Sequence, residues 1–159
     1  MNITLICVGR LKEDYLRAAC AEYQKRLQGF CRFNVEELEA ERLPESPSDG
    51  EIANALEKEG ERILGKIPRG AYVLALCVEG KQQSSEELSQ LMDRIPSDGF
   101  GTAVFIIGSS FGLSDRVKSA AQVKLSMSRM TFPHQLARVM LMEQIYRGYT
   151  IINNRSYHK

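Results

Sequence analysis

Apolar and polar residues along this chain fall into short blocks, and the rhythm within each block predicts an element. Residues 3–8, ITLICV, form a β-rich apolar run that stops at Gly9, as a buried strand does. Between residues 12 and 28, Leu16, Ala19, Cys20, Tyr23 and Leu27 fall three or four apart, the spacing of one helix face, and Gly29 closes that helix. Phe33 and Val35 alternate with polar neighbours, so residues 31–38 read as a second, more exposed strand. A polar loop containing Pro44 and Pro47 follows. Ser48 then stands three residues before Glu51, the spacing of a capping box, and Ile52, Ala55, Leu56, Ile63 and Leu64 carry a helix towards residue 67. Pro68 and Gly70 end it.

Residues 71–78, AYVLALCV, are apolar throughout, which predicts a strand covered on both faces. Residues 80–85 read as a loop, with Ser84 and Glu87 forming a second capping box ahead of Leu88, Leu91, Met92 and Ile95. TAVFII at residues 102–107 is again a fully apolar strand ending at a glycine, Gly108. A short helix at residues 114–121 precedes a short strand at 123–127, and a long helix runs from 133 to 149. Thr131 or its neighbour is placed to cap that helix, and Pro133 suits its first turn. The last ten residues, TIINNRSYHK, read as an extended tail. Strand and helix alternate along the whole chain, the pattern of an α/β fold with a mainly parallel sheet and helices on both faces. A single domain over residues 1–159 is expected from this length. The final helix is apolar on more than one side (Leu136, Val139, Met140, Leu141, Met142, Ile145, Tyr146, Tyr149). A second subunit is the natural cover for its outer face, so a homodimer is expected.

Composition changes this picture little. Hydrophobic residues make up 43% and charged residues 26% of the chain, an ordinary globular balance. No apolar run reaches the ~20 residues that span a bilayer, and the N-terminus lacks the features of a signal peptide, so a cytoplasmic protein without a membrane partner is expected. Cys7, Cys20, Cys31 and Cys77 are scattered, which suits buried thiols and predicts no metal site. Charge is more informative. Residues 1–115 carry 13 Lys/Arg against 19 Asp/Glu, a net of −6, whereas residues 116–159 carry 8 against the single acid Glu143, a net of +7. Either the C-terminal part faces an anion such as nucleic acid, or the two regions neutralise each other in a dimer.

Candidate chemistry belongs beyond the carboxyl ends of the strands, where open parallel sheets bind ligands. GSSFG at residues 108–112 fits neither GxGxxG nor a Walker A sequence, and GxSxG is absent, which excludes the common phosphate-loop and serine-nucleophile designs. Of the two histidines, His134 at a helix start reads as a structural hydrogen-bonding group and His158 in the tail as a functional one.

FIIGSSFGL at 105–113, LSMSRMTFPHQ at 125–135, Arg138, EQIYR at 143–147 and the closing YHK, together with ITLICVGRLKE at 3–13 and KEGERIL at 58–64, resemble the SPOUT-class methyltransferases of large-subunit ribosomal RNA. The resemblance covers the whole chain. It implies a SPOUT fold, whose C-terminal part is tucked through a loop into a deep trefoil knot, and a homodimer. It implies S-adenosyl-L-methionine as the methyl donor and N3 of a pseudouridine in 23S rRNA, within the assembled ribosome, as the acceptor. Carried over by motif, Leu76, Gly108, Met127, Ser128, Arg129, Met130, Thr131 and Phe132 would line the donor. Arg147, which can pair with Glu143 four residues earlier, would be the electrostatic catalytic group, with Tyr157 and His158 beside it. Arg129, Arg155 and Lys159 would contact RNA. One departure stands out: family members typically read GG where this chain has Gly108-Ser109, and a serine there costs energy if that position needs a positive φ. Two other readings stay open at this stage, a SPOUT enzyme for another RNA position and a ribosome-binding module without donor binding.

Overall fold

The computed structural model describes residues 1–158; Lys159, one of the expected RNA contacts, lies outside the described residues. Five strands and five helices alternate: β1 (Asn2–Val8), α1 (Asp14–Leu27), β2 (Arg32–Leu38), α2 (Asp49–Lys66), β3 (Tyr72–Gln82), α3 (Ser85–Ser97), β4 (Thr102–Ile107), α4 (Asp115–Ala120), β5 (Val123–Ser126) and α5 (His134–Ile152). The strands pair in the order β2-β1-β4-β3-β5, all parallel. Alternate side chains of each strand point to opposite faces, and each face has its own cover. Ile3, Leu5, Phe105 and Leu74 meet α1, α3 and α5 through Cys20, Met92, Leu141 and Ile145. Ile6, Val104, Ile106 and Ala75 meet α2 and α4 through Ile63 and Val117. Helices on both faces of a parallel sheet are what the alternating pattern predicts.

Both expected capping boxes form. Ser48 Oγ accepts from Glu51 N–H at 3.1 Å and Ser84 Oγ accepts from Glu87 N–H at 3.1 Å, with each glutamate returning the bond. Such caps contribute about 1 kcal/mol each. The expected Thr131 cap does not form. Pro133 itself is the N-cap of α5, it makes no side-chain cap bond, and Thr131 faces solvent.

Three further differences have physical causes. First, the strand expected to stop at residue 78 continues to Gln82. Leu125 of β5 is met by Leu76 and again by Lys81, so residues 77–80 bulge out and the chain returns to the same strand. Gly80 permits this, since a Cβ there would lie 2.7 Å from the Lys124 and Leu125 backbone. Main-chain pairing of this polar, exposed stretch leaves no trace in a hydropathy pattern. Second, residues 150–158 are not an extended tail. The helix runs on to Ile152 and closes in a Schellman turn: Arg155 N–H donates to Thr150 C=O at 2.8 Å, Asn154 N–H to Ile151 C=O at 3.0 Å, and Asn154 takes φ 51°. The β-branched Thr150-Ile151-Ile152 suggests extended chain, but tertiary packing and an asparagine that tolerates the left-handed region decide otherwise. Third, the cysteines are free, with only Cys7 and Cys20 buried and Cys31 and Cys77 part-exposed. Burial pushes the Cys7 thiol up to about 12, so it stays protonated.

Arg138 fastens the start of α5 to the sheet. It is 3% exposed, donates to Glu37 at 2.6 Å and to the Gly9 carbonyl at 2.8 Å, and so joins α5 to the ends of β2 and β1. Its loss would remove both bonds and the packing of a buried side chain, while Glu37, 42% exposed, would regain water. Arg138→Ala is therefore expected to lower the unfolding free energy by about 2 kcal/mol, whereas Arg116→Ala, at an exposed pair, costs less than about 0.5 kcal/mol. Urea denaturation of both variants checks this; equal losses would contradict the anchoring role.

Candidate active site

The residues expected to line a donor come together at the carboxyl ends of β3, β4 and β5. Leu76 stands half-buried near the β3 bulge, Gly108 is buried at the end of β4, and residues 127–132 leave β5 and cross towards α5. Gly108 has no room for a side chain: a Cβ would lie 2.1 Å from the Gly112 carbonyl oxygen. The backbone turns sharply beyond it, with Gly112 N–H donating to Ser109 C=O at 2.9 Å and Gly112 at φ 89°. In the 127–132 segment, Ser128 Oγ accepts from Met130 N–H at 2.9 Å, while Ser126 Oγ donates to Ser128 C=O at 3.0 Å. These local bonds bend the chain and leave Arg129, Met130 and Thr131 exposed and Met127, Ser128 and Phe132 half-buried.

The apolar surface here is uncovered. Five large hydrophobic side chains are exposed among the described residues, and Val78, Phe111, Met130 and Leu136 all belong to these loops or to the first turn of α5. Exposed apolar side chains on segments with bent backbone are features that a small amphipathic ligand can use. His134 closes one side. Its Nδ1 lies 3.4 Å from Ser110 Oγ, and burial, then the cations Arg138 and Lys12, hold its pKa below the usual imidazole value, so it is neutral at pH 7. This agrees with its structural reading.

Ser109 carries none of the feared strain. Asn154 is the only non-glycine residue with positive φ among the described residues, so Ser109 needs no glycine-like backbone. Its hydroxyl instead donates to Glu59 Oε2 at 2.8 Å.

Arg147, Tyr157 and His158 form a second group, on the outer side of α5. Glu143 Oε1 accepts from Arg147 Nε at 3.0 Å and Nη2 at 2.7 Å, the pairing that the i,i+4 spacing predicts, and from Tyr157 Oη at 3.2 Å. The Arg147 guanidinium also lies 4.8 Å from the Tyr157 ring centroid. A guanidinium can only donate, so His158 Nδ1 accepts from Arg147 at 3.3 Å and its Nε2–H donates to Glu86 Oε1 at 2.7 Å. Hydrogen bonds from its own backbone, Ser84 and His158 hold the Glu86 carboxyl down to about 2. Burial and the neighbouring Tyr23 and Glu143 push the Tyr157 phenol up to about 12, so it donates rather than accepts at neutral pH. Among the described residues, no hydrogen bond or ion pair joins this group to Leu76, Gly108 or residues 127–132.

The basic C-terminal part is largely engaged within the chain. Arg116 pairs with Glu57 at 3.5 Å, Lys118 with Glu79, and Arg138 with Glu37 at 2.6 Å. Arg155 lies 4.7 Å from the Phe30 ring centroid, and Arg129 remains exposed in the donor-side loop. Sequence reasoning missed Glu59, Glu86 and the anchoring role of Arg138. Glu59 and Arg138 had a signal: each falls in phase with buried positions, Ala55 and Ile63 around the first, Leu141 and Met142 after the second. A charge on a buried stripe demands a partner.

Known proteins resemble this chain over its full length. It is 49% identical over 159 residues to a Bacillus pumilus protein named ribosomal RNA large subunit methyltransferase H, covering all of both chains. Proteins of the same name from Clostridioides difficile and Clostridium acetobutylicum are 48% and 50% identical, again over 100% of both chains. Residues 1–158 match the family described as Predicted SPOUT methyltransferase, and the chain belongs to the SPOUT methyltransferases.

Proposed function

We propose that this chain uses S-adenosyl-L-methionine to methylate N3 of a pseudouridine in 23S ribosomal RNA, acting as a homodimer on the assembled ribosome in the cytoplasm. The observation that carries the reading lies at the carboxyl ends of β3, β4 and β5: a glycine, Gly108, with no room for a side chain, and uncovered Val78, Phe111 and Met130 on the segments that leave those strands. The names of the full-length relatives, large-subunit rRNA methyltransferases, supply the substrate class.

The residues present fit the donor. Its adenine and aliphatic chain need apolar walls, which Leu76, Met127, Met130 and Phe132 offer, and its polar edges need the backbone groups that bends at Gly108 and residues 128–131 turn outward. When bound, the donor supplies an electrophilic methyl group on a sulfonium. The chain's own contribution is positional and electrostatic. N3 would lose its proton to solvent and take the methyl as the donor's S–methyl bond breaks, and a fixed cation near the adjacent carbonyl oxygens favours that anion. Arg147 suits this role because Glu143 orients it and Tyr157 covers it. Tyr157, whose phenolic proton is donated to Glu143, holds that carboxylate in place and presents its ring to the base, and His158 closes over it. Arg129, Arg155 and Lys159 would hold phosphates.

The separation of the two groups supports a shared site, in which one subunit binds the donor and the other supplies Arg147 and the tail. The outer side of α5, with the exposed Leu136 and the partly exposed Met140, is the surface that suits the second subunit. The match to the SPOUT family supports a deep trefoil knot in the C-terminal part of the chain.

Purified enzyme with labelled donor is expected to methylate intact ribosomes far better than naked 23S rRNA, with mass spectrometry placing the methyl on N3 of a pseudouridine; label on tRNA or another base would overturn the substrate assignment. Mixed dimers of one chain lacking residues 155–159 and one carrying Gly108→Val are expected to regain activity that neither homodimer has. If they stay inactive, each subunit works alone.

A further inference from the structure

Glu59, on α2, is the only acidic side chain buried among the described residues, at 3% exposure. It is satisfied without a cation. Oε1 accepts from Glu41 N–H at 3.0 Å and Oε2 accepts from the Ser109 hydroxyl at 2.8 Å. The nearby cations are engaged elsewhere, Arg62 with Glu41 and Arg116 with Glu57 and Glu61. A buried carboxylate without a counter-charge is a costly way to hold a turn, and its stability value is poor. It does give two hydrogen bonds that fix their donors in place.

Its target is the turn after β4. Ser109 follows Gly108 directly, and Ser109 C=O also receives Gly112 N–H. The next residue of α2, Gly60, presses on the far end of the same loop, where a Cβ would lie 2.6 Å from Ser114 Oγ. The pair Glu59–Gly60 thus grips residues 109–114 at both ends. The packing of α4 does not need this grip, since Leu113 and Val117 already bury it against the sheet. What the grip controls is the position of the exposed segment between, including Ser110 and Phe111.

We propose that Glu59 is a positioning residue for the methyl donor, setting through Ser109 the turn at Gly108 against which the donor lies. This rests on the donor-site reading given above. A glutamine keeps part of the device, because its carbonyl can accept one bond and its amide can donate to the Ser109 hydroxyl, which also accepts.

Calorimetric titration of the full-length protein with S-adenosyl-L-methionine tests it. Glu59→Ala and Ser109→Ala are each expected to weaken binding about tenfold, the equivalent of one hydrogen bond. Glu59→Gln should fall between them and the unaltered protein, and the double variant should bind no worse than the weaker single. The donor KM should rise in step while kcat at saturating donor is retained. Lower melting temperatures with unchanged donor affinity in the folded protein would overturn the proposal. If Glu59→Ala does not fold, Ser109→Ala decides alone, and unchanged affinity there overturns it too. Gly108→Ala separates the two levels. Should it weaken binding while the Glu59 and Ser109 variants do not, only the positioning role falls; should it leave affinity unchanged, the donor site itself is misassigned and the proposal falls with it.

Discussion

Two main-chain approaches at the carboxyl end of the sheet leave no space for a side chain, and the site depends on both. Gly108 packs on the Gly112 carbonyl, and Gly80 packs on the backbone of β5. Backbone at this separation cannot shift to accommodate bulk, so the first fixes the turn after β4 within itself and the second fixes the outer part of β3 on β5. Their side chains have only one free direction, outward, and that is where Val78, Phe111 and Met130 are found. A stable fold does not need apolar groups there. Their exposure is the mark of a surface kept open for something other than the chain itself.

The distribution of charge carries a related lesson. An apparent basic domain from residue 116 onward is mostly a set of internal fasteners. Arg116 and Lys118 hold to acids of α2 and β3, and Arg138 ties α5 to the sheet. Only a few cations are left to face RNA. So few free cations would capture a loose polyelectrolyte only weakly, which fits the proposal that the RNA is met in a structured form whose shape supplies much of the specificity. The acidic residues of α2 are likewise used, Glu57 and Glu61 at the surface and Glu59 in the interior.

Much of the fold was legible in the sequence because it rests on local rules. Apolar runs bounded by glycine marked the parallel strands, and serine-to-glutamate spacing marked two helix starts. The Glu143–Arg147 pair followed from helix geometry. What stayed hidden rests on non-local main-chain contacts. The outer part of β3 is polar and pairs only because Gly80 lets it return to Leu125. The helix extends through Thr150-Ile151-Ile152 because Asn154 can turn it back, which brings Tyr157 and His158 onto Glu143. Thr131, well spaced for a cap, faces solvent because Pro133 sets the entry to α5. The residues proposed to line the donor come from resemblance to a family, and no periodicity would have selected Met127 or Arg129. Glu59 could have been found, since it occupies a buried phase of an otherwise ordinary amphipathic helix.

The central claim is that one ligand site lies across the loops after β3, β4 and β5. Amide hydrogen exchange, followed by mass spectrometry with and without S-adenosyl-L-methionine, tests it without any substitution. The account predicts that the donor slows exchange in residues 108–113 and 126–132 and in the β3 bulge at 77–83, while the amino ends of the strands are unaffected. Protection confined to another part of the molecule, with these three segments unchanged, would contradict it.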